Sequence, residues 1–547
     1  TADIKGANAA ATTAVTTWRL GEWCDAKGWP SVVGFIQQRL GFAATSENPQ
    51  KFWLSKSADI ENLADEDVKG IVQDDSSISY RFAALQVNSI RWLTMRKKPV
   101  IGTVGGEWTL SSQGAVLTPT DIAADFEVSG GVAKIPPVDV RNRLLFVQAQ
   151  NRKVVEFADI FQSNGVAGYD DFDLTLLNSR VLTGGITQLA FAQEPDSIIW
   201  SVRSDGQMPT LTYTPEQNVV GWARQIHGGS FQGGDAVIES ACSIPGQNGA
   251  GQFKDSSGRH EIWVAVKQEI NGATVRYIEV LEKTYNGSED LQQDAFYVDS
   301  GLTLDVPLTV TGITKANPGV ITLADASSLS NGGLVRLVRV KGMTEVNKLT
   351  FQVAGLAGNS FNLTDKDGVN VDTSVYATYA AAGECRKMVL VITGADHLEG
   401  ETVKIFADGM VQTDKTVSSG SVTLDQAAGL VHIGLPYERR WKSLKIAYGS
   451  PSGTAVGKQK NIADLVVVLL EAAEGSISVA TEDSDGVNAF TELDLRKQVS
   501  DAYVPFFTGE VRLGVQAGWD EDLRLILKTT SPTCATVLAL APDLETV

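Results

Sequence analysis

Histidine, cysteine and clustered carboxylates build most catalytic and metal sites, and in this chain they are few or scattered. The four histidines are His227, His260, His397 and His432. None stands in an HxH or HExxH spacing, so no strand or helix face presents two imidazoles to one metal. His227 opens a His-Gly-Gly stretch and reads as a solvated loop histidine. Cys24, Cys242, Cys385 and Cys534 are far apart, with no CxxC pair. That spacing supports neither a zinc site nor a disulfide framework and suits thiols kept reduced in a cytoplasm. Asp365-Lys366-Asp367-Gly368 and Asp483-Ser484-Asp485-Gly486 begin like calcium loops. Both lack the glutamate that closes an EF-hand loop, so hairpin turns are expected.

Other short patterns fail in the same way. Ser204-Asp205-Gly206 has the start of an Asp-box but not its downstream tryptophan, and reads as a tight turn. Gly105-Gly106, Gly184-Gly185 and Gly228-Gly229 are not followed by Lys-Ser/Thr or a helix start, as a phosphate loop requires. No G-x-S-x-G elbow is present. The sequence therefore predicts no catalytic, cofactor-binding or metal-binding residue, and no enzyme. Arg96-Lys97-Lys98 and Arg439-Arg440 read as strand ends or partner contacts rather than a nucleic-acid patch.

The elements that would carry these residues are strands. The chain has 547 residues, 43% hydrophobic and 20% charged, with 52 glycines. Short apolar stretches alternate with Gly, Asn and Asp, the pattern of an all-β chain with many turns. Its length calls for several domains. Residues 1–30 form an N-terminal segment. Residues 31–300 read as repeated β-meanders, the clearest running from Ser197 to Ile226. In it, strands with Trp200 and Trp222 flank turns at Ser204-Asp205-Gly206-Gln207 and Thr214-Pro215-Glu216-Gln217-Asn218. Residues 33–42 read as a strand leading to 51–55. Asn271-Gly272 marks a hairpin. Strand groups recurring at this spacing predict a β-propeller-like domain. Residues 305–386 predict an inserted small β-barrel, and 387–547 a C-terminal β-rich domain, either a small sandwich or barrel or the completion of the propeller. Residues 462–469 fit a helix or a strand equally.

Net charge is −19. Such a surface disfavours binding to a phosphate backbone. It serves solubility, or a conduit through which DNA slides without being held. No apolar run is long enough for a membrane helix, and no signal peptide is visible.

Ordered segments bear a resemblance to one family. Phe35-Ile36-Gln37-Gln38-Arg39-Leu40-Gly41-Phe42-Ala43 with Asn48-Pro49-Gln50-Lys51-Phe52-Trp53-Leu54-Ser55-Lys56 resembles a segment of phage tail nozzle proteins, the tail tubular protein B type. So do Gln86-Val87-Asn88-Ser89-Ile90-Arg91-Trp92-Leu93, Gln193-Glu194-Pro195-Asp196-Ser197-Ile198-Ile199-Trp200 and Val431-His432-Ile433-Gly434-Leu435-Pro436-Tyr437. Residues 310–318, 342–347 and 351–353 resemble a small β-module that also occurs in ubiquitin-activating enzymes and as an insert in phage proteins; here it implies a spacer or docking barrel. The family's opening Asn-Phe-Thr-x-Gly-Glu and Arg-Pro-Gly stretches are not found. That implies an upstream part missing or carried separately, or a variant, and an incomplete first blade would need a strand partner.

The resemblance implies a homo-oligomeric ring, typically a hexamer, in the virion tail of a short-tailed bacteriophage assembled in the host cytoplasm. It implies a tail adaptor on the head side, tail fibres or spikes outside, DNA passing through the lumen at ejection, and no stable membrane insertion. The alternative is a receptor- or glycan-binding propeller, including one that depolymerises glycans.

Overall fold

A computed structural model describes residues 21–67, 69–83, 88–114, 116–161, 167–246, 259–288, 290–447, 449–450, 453–454, 456–495, 504–515 and 518–546. The protein is mainly β, with helix confined to short 3-10 turns among the described residues. It divides into two compact units. One comprises residues 1–225 and 240–262, the other residues 226–239 and 263–547.

The first unit contains four consecutive antiparallel meanders of four strands each. The first is β1 (Val32–Ile36), β2 (Arg39–Ala43), β3 (Lys51–Leu54) and β4 (Ile78–Arg81). The second is β5 (Ile90–Met95), β6 (Pro99–Thr103), β7 (Gly106–Ser111) and β8 (Ala123–Val128). The third is β9 (Val138–Val140), β10 (Arg143–Val147), β11 (Val154–Phe161) and β12 (Ala167–Asp173). The fourth is β13 (Ile186–Ala192), β14 (Ile198–Arg203), β15 (Met208–Thr214) and β16 (Val219–Gln225).

Side-chain alternation gives each inner sheet two apolar faces. Phe52, Leu54 and Ile78 of the first sheet share a core with Leu93, Ile101 and Leu110 of the second. Trp92 and Val100 of the second meet Leu144, Phe146, Val155 and Phe157 of the third. Leu145, Val147 and Val154 of the third meet Ile199, Leu211 and Tyr213 of the fourth. Successive four-stranded meanders sharing cores face to face are the repeat of a β-propeller, and the unit is propeller-like in this sense.

Local chemistry explains two of the turns. The expected continuous strand over residues 33–42 is instead a hairpin, β1 and β2, because Gln37 and Gln38 both take positive φ, 46° and 64°. A two-residue loop of that hand matches the twist of the flanking strands. Asn271 and Gly272, at φ 48° and 73°, make the same kind of reversal between His260–Ile270 and Ala273–Val280.

In the second unit, Asp299–Asp305 begins a four-stranded sheet with Leu430–Leu435, Thr402–Ala407 and Met410–Thr416. A closed six-stranded barrel, Pro307–Ile313 through Glu384–Lys387, is inserted after that first strand. Val335, Leu337, Phe351, Phe361, Leu363 and Cys385 fill its interior. Closure leaves the barrel no free sheet edge. At its base Arg386 bonds Asp305 at 2.9 Å and Glu384 at 2.8 Å.

The C-terminal part is a two-sheet sandwich. One sheet contains Arg439–Lys442, Arg524–Thr529 and Ser478–Asp483, and the other Phe507–Leu513, Lys460–Ala472 and Thr536–Thr546. Residues 462–469, equally readable as helix or strand, lie within the long central strand Lys460–Ala472. Its inward Ile462, Leu465, Val467 and Leu469 meet Val479, Leu525 and Leu527 across the sandwich. β-branched residues and cross-sheet burial favour the strand over a local helix.

Candidate functional site

The turns suspected of chemistry act as turns. Asp365 Oδ1 accepts the Asp367 and Val369 amides at 2.9 and 2.8 Å. Asp483 Oδ1 accepts the Asp485 amide at 3.0 Å, and its Oδ2 takes the Asn488 side-chain amide at 2.9 Å. Asp205 pairs with Arg203 in the β14–β15 turn. These carboxylates satisfy local backbone or neighbouring side chains. Cys385 and Cys534 are buried, and burial pushes both thiols up to about 12. Cys242 is exposed. Arg439, one of the expected strand-end cations, is held by the Ser531 carbonyl at 2.8 Å and the Thr533 carbonyl at 2.5 Å, and lies over the Tyr297 and Tyr437 rings.

His227 differs from its reading as a solvated loop residue. Its side chain is only 8% exposed. One ring nitrogen, Nε2, lies 2.9 Å from Glu279 Oε2, and Nδ1 lies 2.6 Å from the Gly228 carbonyl. Both partners are acceptors, so both ring nitrogens carry protons and the ring is an imidazolium. Glu279 and Asp299 hold it in that form, raising its pKa to about 9 against the opposing effect of burial. Burial alone would raise the Glu279 carboxyl, but His227 and Ser300 bring it below its ordinary range. Burial raises Asp299, which accepts the Gly228 amide at 2.7 Å.

The Gly pair permits this packing. A Cβ on Gly228 would stand 2.5 Å from the Pro436 carbonyl oxygen, and Gly229 takes φ +92°. No compact sequence motif announces the cluster, because His227, Glu279 and Asp299 come from three separate stretches.

A serine lies in the same cluster. Ser300 donates to Glu279 Oε1 at 2.7 Å and accepts from Gln268 at 2.9 Å. It is bonded to the glutamate rather than to a free imidazole nitrogen, and His227 has no lone pair left to act as base. This is not the arrangement of a serine nucleophile; it is a buried ion cluster that ties His227, the Ala273–Val280 strand and the Asp299–Asp305 strand together. His432 takes the opposite state. Its Nε2–H donates to the Gln293 carbonyl at 2.9 Å, Nδ1 accepts from Thr303 at 2.8 Å, and burial lowers its pKa to about 4.

In the first unit, two buried glutamates occupy matching places on the third strands of successive sheets. Glu156 on β11 faces the fourth sheet, from which Tyr213 donates to it at 2.5 Å, and Arg143 on β10 of its own sheet pairs with it. Glu107 on β7 faces the third sheet and is 0% exposed. Neither of its carboxylate oxygens has a hydrogen-bond partner of acceptable geometry. Burial, then the Asp171 carboxylate, raises Glu107 to about 7, offset in part by the nearby Gly130 and Glu107 amides.

The open edge of the C-terminal sandwich carries a groove of about 620 Å³. Arg439–Lys442 and Thr536–Thr546 line it, and each is the outermost strand of its sheet among the described residues. Trp441 and Leu538 lie in it at 48% and 59% exposure, Arg440 adds positive charge, and Lys528 is paired with Glu438 at 2.7 Å. Unpaired edges beside exposed apolar side chains are suited to strand addition or side-by-side packing of another chain.

No helix among the described residues is long and apolar enough to cross a membrane. No family model matches the chain, and no curated protein matches it. Among solved structures, the chain is similar to the β-propeller domain of Myceliophteria thermophila Cps50 (Swd1), with 10% identity over 46% of this chain and 73% of that one, at a TM-score of 0.26. It is also similar to a Paenibacillus xanthan lyase, with 12% identity over 94% of this chain and 65% of that one, at a TM-score of 0.10; at such scores neither likeness assigns an activity.

Proposed function

We propose that this protein is a structural subunit of a phage virion, forming a ring-shaped nozzle at the distal end of a short tail. In this role it retains packaged DNA behind a gate and passes it at ejection. The reading rests on the ordered resemblance from Phe35 to Tyr437. The observation that supports it best is the sandwich edge, where two outermost strands flank a groove holding Trp441 and Leu538. An edge of this kind is costly to leave in water and is suited to joining copies or the tail adaptor. The inserted barrel gives a second rigid module for docking neighbours such as tail fibres or spikes.

The competing reading is a glycan-binding or depolymerising propeller. Its expected site combines carboxylates with exposed tryptophan in one pocket. The groove has a tryptophan, but its charged lining residues are Arg439, Arg440 and Lys528, which favours assembly over glycan cleavage there.

Mass photometry and negative-stain microscopy of the purified chain, and of assembled tails, test the nozzle reading. Rings of one copy number, six in the leading reading, are expected, and Leu538→Asp with Trp441→Ser should reduce ring yield at least tenfold without unfolding the monomer. A wild-type chain that stays monomeric and has no place in the virion would end the reading. Glycan cleavage by that monomer would establish the alternative.

A further inference from the structure

Glu107 and Glu156 invite comparison because each points from the third strand of its sheet toward the next sheet. Glu156 has its countercharge in Arg143 and a hydroxyl donor in Tyr213. Glu107 has neither, although it is fully buried and no hydrogen bond of acceptable geometry reaches either of its oxygens. What faces it is a second carboxylate. A Cβ built on Gly130 would lie 3.1 Å from Asp171 Oδ2, 3.3 Å from Gln148 Nε2 and 3.7 Å from Glu107 Oε1. Two carboxylates and one side-chain amide therefore come together beside one backbone position that has no side chain of its own. Asp171 is half-buried, so the cluster is reachable from solvent on its side.

Two carboxylates facing one another between packed sheets repel unless a proton or a cation lies between them. We propose that Glu107, Asp171 and the Gln148 amide form a binding site for a hard divalent cation of the calcium class between the second and third sheets. The donor chemistry specifies the class. It offers carboxylate and amide oxygens with neither thiolate nor imidazole, and hard ions take such oxygens. Among the described residues no three His, Cys, Asp or Glu side chains converge as a metal site. The ion therefore draws its remaining ligands from the amide and from water, as calcium tolerates and structural zinc does not. Gln148 presents its carbonyl after a simple amide flip. A bound ion takes the role that Arg143 plays one sheet further on, and cross-links the two meanders.

The test uses the full chain with calcium chloride and with terbium, whose luminescence is sensitised by nearby aromatics; Tyr169 lies two residues from Asp171 on β12. Calcium should raise the melting temperature of the wild type by several degrees, and terbium emission should saturate and be displaced by calcium. Glu107→Gln and Asp171→Asn should each weaken binding at least tenfold and abolish the calcium-dependent rise in melting temperature. Asp365→Asn, in the turn that only begins like a calcium loop, should bind as the wild type does. If Glu107→Gln does not fold, Asp171→Asn at the more exposed position carries the test alone. The proposal is overturned if the wild type shows no calcium response, or if Glu107→Gln raises the melting temperature while terbium emission is unchanged. The latter result would mean that Glu107 is a neutral acid sharing a proton with Asp171.

Discussion

Replacing His227 with glutamine should weaken the fold in a way that depends on pH. The imidazolium lies between Glu279 and Asp299, with Glu279 Oε2 at 2.9 Å. Its pKa rises from 6.5 to about 9 in the folded protein. A raised pKa gives stability that is fully present below the unfolded value and lost as pH climbs through the folded one. The contribution should therefore be complete below pH 6.5 and gone above about pH 9. At ~1.4 kcal/mol per decade, its ceiling is about 3 kcal/mol.

Removing one partner of a buried ion cluster costs a comparable ~3–5 kcal/mol. Urea unfolding of wild type and His227→Gln should thus differ by about 3 kcal/mol at pH 6, and the gap should close as pH passes 9. Glu279 is lowered and loses its contribution on the acid side, while burial raises Asp299, whose titration works in the opposite sense to that of Glu279. Tyr437, which faces Asp299, is pushed up to about 12 and stays neutral throughout. Glu107 titrates in both proteins and cancels in the difference. A gap of equal size at pH 6 and pH 9.5 would refute the ion-cluster account and leave only a packing defect.

Other predictions concern the barrel and the thiols. Phe361→Ala removes a fully buried ring from the barrel interior and should cost ~3–5 kcal/mol; hydrogen exchange should show the loss concentrated in residues 307–387. A maleimide should modify exposed Cys242 rapidly in the native protein, whereas buried Cys385 and Cys534, with thiols pushed up to about 12, should react only after denaturation. Mass spectrometry of the labelled peptides checks both rates, and native labelling of Cys385 would show that the barrel opens.

Much of the fold was legible in local chemistry. Alternating apolar residues and turn-forming Gly, Asn and Asp are sufficient to specify meanders, because strand faces and reversals depend on near neighbours. The Asn271-Gly272 hairpin, the turn at Ser204-Asp205-Gly206-Gln207 and the strand groups around Trp200 and Trp222 follow from such signals. Residues 33–42 misled because two glutamines, rather than Asn-Gly, adopt the left-handed turn at Gln37-Gln38. Residues 462–469 could not be decided locally; their apolar face became a strand through pairing with Thr536–Thr546 and burial against the opposite sheet.

The charged clusters could not be decided locally either. The sequence by itself determined that the chain is a β-rich protein of many meanders with isolated thiols and no short catalytic motif. Only tertiary structure decided that His227 is a buried cation, that His432 is a neutral ring, and that Glu107 faces Asp171 where Glu156 meets Arg143. The physical reason is range. Strand and turn preferences act over a few residues, whereas the state of an ionisable group is set by desolvation and by charges brought from distant strands, as Asp299 is brought to His227.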